Sequence, residues 1–294
     1  MKILMASIGF IAALVAVSFG QAQQLLVKKP FPAASATFQV PSHDAQLNAL
    51  AYIAEGAGPH PVVVLLHGFP GNERNLDLAQ DIRRAGWDVL YFDYRGSWGT
   101  HGDFSFSHGI EDVAAVVSYI REPAHAKSLR LDPTRVVVIG HSMGGFMAVQ
   151  AAAADPTIMA LGLLSASDIG GRVPVPLPPN GETEFVKSYS VKLENEGMAP
   201  LVGCTSAGLA QEAFDNAPHW TFVSKAAALK TRPVLDITSD DGYAPLNDAF
   251  TAALIKAGNS RVTTVHFPTD HSYNDKRLEV SAAFRQWLDG LIVK

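Results

Sequence analysis

Three observations assign this 294-residue chain to the α/β class, with a mostly parallel, doubly wound sheet. Two unbroken apolar runs, Val62-Val63-Val64-Leu65-Leu66 and Val136-Val137-Val138-Ile139, lack the alternation of a half-exposed strand, as strands covered by helices on both faces do. Strand-like segments alternate with amphipathic segments of helical spacing, the pattern of βαβ units. The second apolar run ends abruptly in Gly140-His141-Ser142-Met143-Gly144. Glycines flanking a serine at that point describe a sharp strand-to-helix turn with Ser142 at its apex, where only small residues fit two positions either side.

Residues 1–22 read as a secretory signal. Met1-Lys2 is the positive start, Ile8 to Phe19 the apolar stretch and Gly20-Gln21-Ala22 a small-X-small cleavage site. Cleavage after Ala22 and export to the periplasm or the extracellular medium are expected. The apolar stretch is short for a membrane span, and no later stretch is long enough. The remaining residues, roughly 270, suffice for one large α/β domain or two small ones. The formal charge is −5, and Lys2 is the only charge in the signal. A mildly acidic chain without a basic block argues against nucleic acid or anionic membrane surfaces as partners. Cys204 is the single cysteine, which excludes an intramolecular disulfide. Gly203-Cys204-Thr205 lacks neighbours that lower a thiol pKa, so no catalytic thiol is expected.

Alternating residues at 37–40 and 47–53 predict paired early strands, with a turn at Glu55-Gly56-Ala57-Gly58. The buried strand 62–66 is followed by a helix over about 72–85, which Gly86 is placed to end. A strand at 87–92 opens into the loop Asp93-Tyr94-Arg95-Gly96-Ser97-Trp98-Gly99. A helix over about 109–121 is amphipathic through Ile110, Val113, Val116, Val117 and Ile120. Asp132-Pro133 then turns the chain into the strand that carries Ser142, and a helix at 146–154 lies behind it. Strands are expected at 158–164, 233–238 and 261–267, and a terminal helix over about 276–291.

Between Ser165 and Arg232 the chain is far longer than a simple crossover requires. Residues 173–179 are proline-rich, and 185–194 and 209–214 have the look of short helices. An insertion at that point of a parallel sheet lands on the carboxyl edge, where the serine points. The expected division is therefore a core at 23–167, a cap or lid at 168–230 that shapes a pocket, and the rest of the core at 231–294.

A serine hydroxyl is a poor nucleophile near neutrality and needs a base, which itself needs an orienting acid. In a parallel sheet both partners should follow later strands, in the order serine, acid, histidine. His271 lies just beyond the strand 261–267, whereas His266 falls inside it. His141 flanks the serine, where its ring is expected to point away and pack. His67, His101, His108, His125 and His219 show no metal-ligand spacing, so no metal is assigned. Asp240 and Asp241 both follow the strand 233–238 directly, and spacing alone does not separate them. For an oxyanion hole, the amide of Met143 is one donor, and that of Phe69 in His67-Gly68-Phe69-Pro70 is the other.

Taken together, these motifs resemble the α/β-hydrolase superfamily, as a serine esterase- or peptidase-like member with a cap insertion. The resemblance runs from about residue 47 to the end, with about 168–230 matching only as a variable cap. It implies Ser142 as nucleophile and His271 as base. It also favours Asp241 over Asp240, because the acid in these families often precedes a proline by four residues, as in Asp241-Gly242-Tyr243-Ala244-Pro245. His67-Gly68-Phe69-Pro70 is similar to the family's oxyanion loop. The loop 93–99 is similar to its Asp-X-Arg-Gly loop, which implies a bracing role for Arg95. A serine at the elbow is unlike the aspartate nucleophile of dehalogenases and epoxide hydrolases. The implied activity is hydrolysis of carboxylic esters, without a cofactor, on a small-molecule ester or amide. An aminopeptidase or amidase would need an acidic cap residue to hold the substrate amine, for which Glu182, Glu184, Glu194 and Glu196 are candidates. A non-catalytic binding protein on the same scaffold would be marked by a broken triad.

Overall fold

The computed structural model describes residues 30–292, so the expected signal at 1–22 lies outside the described residues. In chain order the elements are β1 (Ala34–Ser42), β2 (Ala45–Ile53), β3 (His60–Leu66), α1 (Leu76–Arg84), β4 (Asp88–Phe92), α2 (Phe106–Arg121), α3 (Pro123–Leu129), β5 (Leu131–His141), α4 (Met143–Ala154) and β6 (Ala160–Leu164). A 3₁₀ turn at Gly170–Arg172 leads to α5 (Gly181–Glu196), α6 (Ser206–Trp220) and α7 (Phe222–Lys225), followed by β7 (Val234–Ser239), α8 (Ala244–Lys256), β8 (Val262–Phe267) and α9 (Arg277–Ile292).

The strands form one eight-stranded sheet in the order β1-β2-β4-β3-β5-β6-β7-β8. β1 and β2 pair antiparallel, as expected of the early strands, and β2 joins β4 antiparallel. From β4 to β8 every pair is parallel, which confirms the predicted doubly wound sheet. All carboxyl ends of that block therefore open on one edge. The apolar runs serve both faces. Val62, Val64, Leu66, Val136 and Val138 pack beneath α2 and α4, while Val63, Leu65, Val137 and Ile139 face α1 and α9 through Leu78, Ile82, Val280, Phe284 and Leu288. Side chains of successive strand residues point to opposite faces, so a strand buried on both must be apolar throughout.

Several elements differ in extent from the sequence expectation. α1 starts at Leu76 rather than near 72, because Asn75 takes a left-handed backbone (φ 54°) and its amide is held by the Glu73 carboxylate at 2.6 Å. α2 starts three residues early, at Phe106, where the Ser105 hydroxyl accepts the His108 amide at 3.0 Å. α3 and α8 were not anticipated. α8 carries its signal in Asn247, Phe250, Thr251 and Leu254, which it buries at helical spacing. α5 and α6 are longer than the short segments expected at 185–194 and 209–214, and the four-residue α7 has no counterpart among them. Backbone bonds tie this insertion to the loop after β4: Trp98 donates to Pro200 at 3.0 Å, Val202 to Gly96 at 2.8 Å and Phe104 to Val202 at 2.9 Å.

Candidate active site

β5 lies between β3 and β6, so its exit is at the centre of the carboxyl edge. There Ser142 adopts φ 55° and ψ −119° between the last strand residue and the first turn of α4. Any side chain at Gly140 would overlap the backbone of Gly144, and any at Gly144 the carbonyl of Leu66. These contacts are the steric reason that the turn needs glycine at both places. The Ser142 amide donates to Leu164 and the Ser142 carbonyl accepts from Ser167, at 3.0 and 2.9 Å. The strained residue is thus clamped to the exit of β6.

The loop leaving β3 crosses the serine closely. A Cβ on Gly68 would sit 3.0 Å from Ser142 Cβ and 3.5 Å from its Oγ, so the backbone at Gly68-Phe69 comes within reach of the hydroxyl. The next residues are braced from behind: Trp98 donates its indole N–H to Pro70 at 2.8 Å. The buried ring of His67 donates to Gly68 at 2.8 Å. Burial lowers the His67 pKa to about 4, which keeps that ring neutral near pH 7. The Met143 amide opens α4, where no preceding turn supplies an acceptor and the helix dipole favours negative charge.

β7 and β8 deliver the remaining groups. The Asp240 amide donates to Thr269 at 3.1 Å and joins the two strand exits. The next residue, Asp241, reaches His271, with Nδ1 to Oδ2 at 2.7 Å. The Tyr243 amide donates to the other carboxylate oxygen at 2.9 Å. Burial alone would raise the Asp241 pKa, but hydrogen bonds from His271 and the Tyr243 amide hold it well below the carboxylate range. Asp240 instead meets His266 at 3.1 Å on the exposed surface. The geometry therefore separates the two aspartates that spacing alone leaves equivalent.

His141 departs from its expected orientation. Its ring lies 4.7 Å from that of His271 and donates to the His271 carbonyl at 2.9 Å. Burial, with repulsion from His271, lowers its pKa to about 3. It is a neutral pin under the His271 loop, a position no local sequence rule announces. Arg95 braces as the resemblance implied, but against α2: it bonds the buried Asp112 through Nε at 2.7 Å and its own amide at 2.8 Å, and Glu111 at 2.5 Å. Cys204 lies near Asp103 and Glu212, and burial with both charges raises its pKa.

Ser142 and His271 line a cavity of about 210 Å³ together with Gly68, Phe69, His141 and Glu196. Of the four cap glutamates considered from sequence, Glu196 alone is on this wall, and Lys192 pairs with it. Glu182 accepts from Gln211 and Glu194 from Ser206, within the cap. Tyr243 stands edge-on to the His271 ring at 4.9 Å and receives Lys192 on its hydroxyl at 3.2 Å. Sequence reading did not single out Tyr243, since its role arises from contacts across the fold. Among the described residues no group of His, Cys, Asp and Glu is arranged to hold a metal ion. No described helix is long and apolar enough to cross a membrane.

Known proteins with the same architecture are many. The thermostable carboxyl esterase of Bacillus coagulans has a TM-score of 0.64 at 18% identity, over 89% of this chain and 99% of that one. Est1E of Butyrivibrio proteoclasticus, solved with ferulic acid, has a TM-score of 0.65 at 20% identity, over 87% and 100%. At such identities the likeness is one of fold. In sequence, the quorum-quenching protein AidA of Acinetobacter baumannii is 30% identical over 137 residues, 44% of this chain and 43% of that protein. The sn-1-specific diacylglycerol lipase ABHD11 of Xenopus tropicalis is 30% identical over 123 residues, 40% and 35%. The chain thus matches less than half the length of each of these curated relatives. The model of the alpha/beta hydrolase family matches residues 63–283, from within β3 into α9. With the sheet, the strand order and this match in agreement, the chain belongs to the alpha/beta hydrolase family.

Proposed function

We propose that the protein is an exported serine hydrolase that cleaves small carboxylic esters through an acyl-enzyme on Ser142. The observation that carries this reading is the 2.7 Å bond between His271 Nδ1 and Asp241, on a ring that shares a cavity wall with the Ser142 elbow. His271 Nε2 takes the Ser142 proton as Oγ attacks the acyl carbon, and Asp241 holds the imidazole in the required tautomer and stabilises the imidazolium. The tetrahedral oxyanion is received by the amides of Phe69 and Met143. His271 then gives its proton to the leaving alcohol. Water, activated by the same histidine, hydrolyses the acyl-enzyme. No step requires a cofactor.

Esters are preferred over amides in this reading because Glu196, the cap glutamate on the cavity wall, is engaged by Lys192 and is not free for a substrate amine. A cavity of about 210 Å³ is below the usual range of ligand sites, roughly 300–1,000 Å³. Short acyl chains should therefore outperform long ones. Ser142→Ala should reduce turnover of p-nitrophenyl butyrate by at least about 10⁴-fold with an unchanged melting temperature. A fluorophosphonate should label the parent protein and not the variant. Retained turnover or labelling in Ser142→Ala would sink the assignment, and no labelling of the parent would favour a binding protein. Export belongs to the same proposal, and mass determination of the secreted chain should find Gln23 at its start.

A further inference from the structure

The Ser142 elbow has a strand exit on either side, because β5 lies between β3 and β6. The cavity of about 210 Å³ is on the β3 side, along Gly68 to Glu73. On the β6 side the Ser167 amide donates to the Ser142 carbonyl at 2.9 Å. The Ser167 hydroxyl in turn accepts from Arg172, whose Nη2 is 3.0 Å and Nε 3.4 Å away. An ester seated at Ser142 has two arms, and the arm directed away from the cavity meets the 3₁₀ turn that carries Arg172.

Buried and part-buried arginines elsewhere in this fold are spent on internal acceptors. Arg95, Arg121 and Arg277 meet carboxylates, and Arg130 and Arg232 meet backbone carbonyls. Among the described residues no carboxylate pairs with Arg172, and its hydrogen bonds go to the Ser167 hydroxyl alone, through Nε and Nη2. The guanidinium lies over the Tyr243 ring, 4.5 Å from the centroid, with the Tyr189 ring of α5 at 6.0 Å. Stacking on an aromatic face fixes the plane of the guanidinium and leaves N–H groups on its edge for a planar anion. Tyr243 stands 4.9 Å from the His271 ring. The guanidinium is therefore no farther from the imidazole than those two contacts laid end to end, the span of a short carbon chain.

The charged groups around Arg172 leave this cation uncancelled. Asp168, four residues earlier, spends its two carboxylate oxygens on the amides of Gly171 and Phe222 at 2.8 and 3.0 Å. Lys192 of α5 also faces the Tyr243 ring, at 5.5 Å, but is paired with Glu196. That pair is neutral overall, so Glu196 on the cavity wall does not repel an anion as a free carboxylate would. We propose that Arg172 is a specificity residue: it receives a carboxylate at the far end of the substrate, and short esters that carry one negative charge are preferred. This rests on the serine-hydrolase reading above and names the substrate class of the same site. The fork of the guanidinium suits a carboxylate, which it can hold by two parallel hydrogen bonds.

The test measures kcat/KM near neutral pH, by acid release, for two pairs of esters. Monomethyl glutarate against methyl pentanoate places the anion on the acyl side, and the acetate ester of γ-hydroxybutyrate against butyl acetate places it on the alcohol side. The parent should favour the charged member of one pair by at least about tenfold, the worth of a hydrogen bond to a charged group. In Arg172→Gln that preference ratio should fall about 10- to 100-fold, while Arg172→Lys should keep part of it, because the charge stays and the fork is lost. A residue that only braces the turn would lower both members of a pair together and leave the ratio where it was. Free glutarate should inhibit methyl pentanoate hydrolysis by the parent competitively, and Arg172→Gln at least about tenfold more weakly. No preference for either charged ester in the parent, or a ratio unmoved in Arg172→Gln, would overturn the proposal. Should Arg172→Gln not fold, the ratio in Arg172→Lys and glutarate inhibition of the parent decide it. If the parent hydrolyses the neutral esters and Ser142→Ala does not, while the charged esters gain nothing, the anion site alone falls; if Ser142→Ala is as active as the parent, the catalytic reading falls with it.

Discussion

Asp240 and Asp241 are adjacent in sequence, yet their surroundings differ in every respect that matters to a triad acid. Asp241 is held by the His271 ring and the Tyr243 amide, while Asp240 shares an exposed pair with His266. Exposed pairs of that kind contribute little. Asp241→Asn should therefore lower kcat/KM by about 10⁴-fold, as loss of the correct imidazole tautomer does elsewhere. Asp240→Asn should stay within about threefold. The same assay on both variants decides between them, and a larger loss at Asp240 would reverse the assignment. Asp236, inside β7, is a different case. Its Oδ1 has no hydrogen-bond partner among the described residues. Burial, reinforced by the charge of Asp248, raises its pKa to about 7. An acid whose folded pKa is raised binds more protons folded than unfolded, so its contribution to stability falls as pH rises from about 4 to about 7. Asp236→Asn should remove that loss. Relative to the parent, its urea midpoint should climb between pH 4.5 and pH 8 and level off above about 7.

At the scale of elements, the β5–α4 turn has no room for a side chain at either of its flanking glycines. A Cβ at Gly144 has no space against the Leu66 carbonyl, and backbone does not yield as a flexible side chain would. Gly144→Ala should cost more than about 3 kcal/mol and is checked by chemical denaturation. A second intolerant point ties the loop after β4 to α2. Arg95 and Asp112 are both buried, and Ser42 donates to the same carboxylate at 2.7 Å. Burial raises the Asp112 pKa despite these donors, which marks how far the pair is removed from water. Asp112→Ala would remove the partner of Arg95 Nε and of the Arg95 amide, leaving the buried guanidinium with Glu111 and the His108 carbonyl, and should destabilise by about 3 kcal/mol. The elbow could be read in five residues, because its glycines are local steric necessities. The partner of Arg95 could not, since Asp112 is brought to it by the packing of α2 on the sheet.

On the scale of the whole molecule, the inserted helices are part of the same packed body as the sheet. Glu212 of α6 accepts the amides of Phe106 and Ser107 at 3.0 and 2.9 Å and so caps α2 from across the seam. Gln150 of α4 likewise donates to the Trp220 carbonyl of α6 at 3.0 Å. Cap and core should accordingly unfold together. Calorimetry should give one transition with equal calorimetric and van't Hoff enthalpies, whereas two transitions would mean an independently stable cap. Glu212→Ala should lower stability by about 1 kcal/mol without dividing that transition.

The sequence by itself determined the fold class, the serine elbow and the region of its partners. Each rests on a local rule: apolar runs mark strands buried on both faces, glycines mark a turn with no room for side chains, and strand exits of a parallel sheet share one edge. Only the tertiary structure decided which aspartate reaches His271, that His141 pins the loop of its fellow histidine, and that the hydroxyls of Ser165, Tyr273 and Ser239 meet in the interior. Those are contacts between residues tens to more than a hundred positions apart, formed by the register of neighbouring strands. No periodicity along the chain records them.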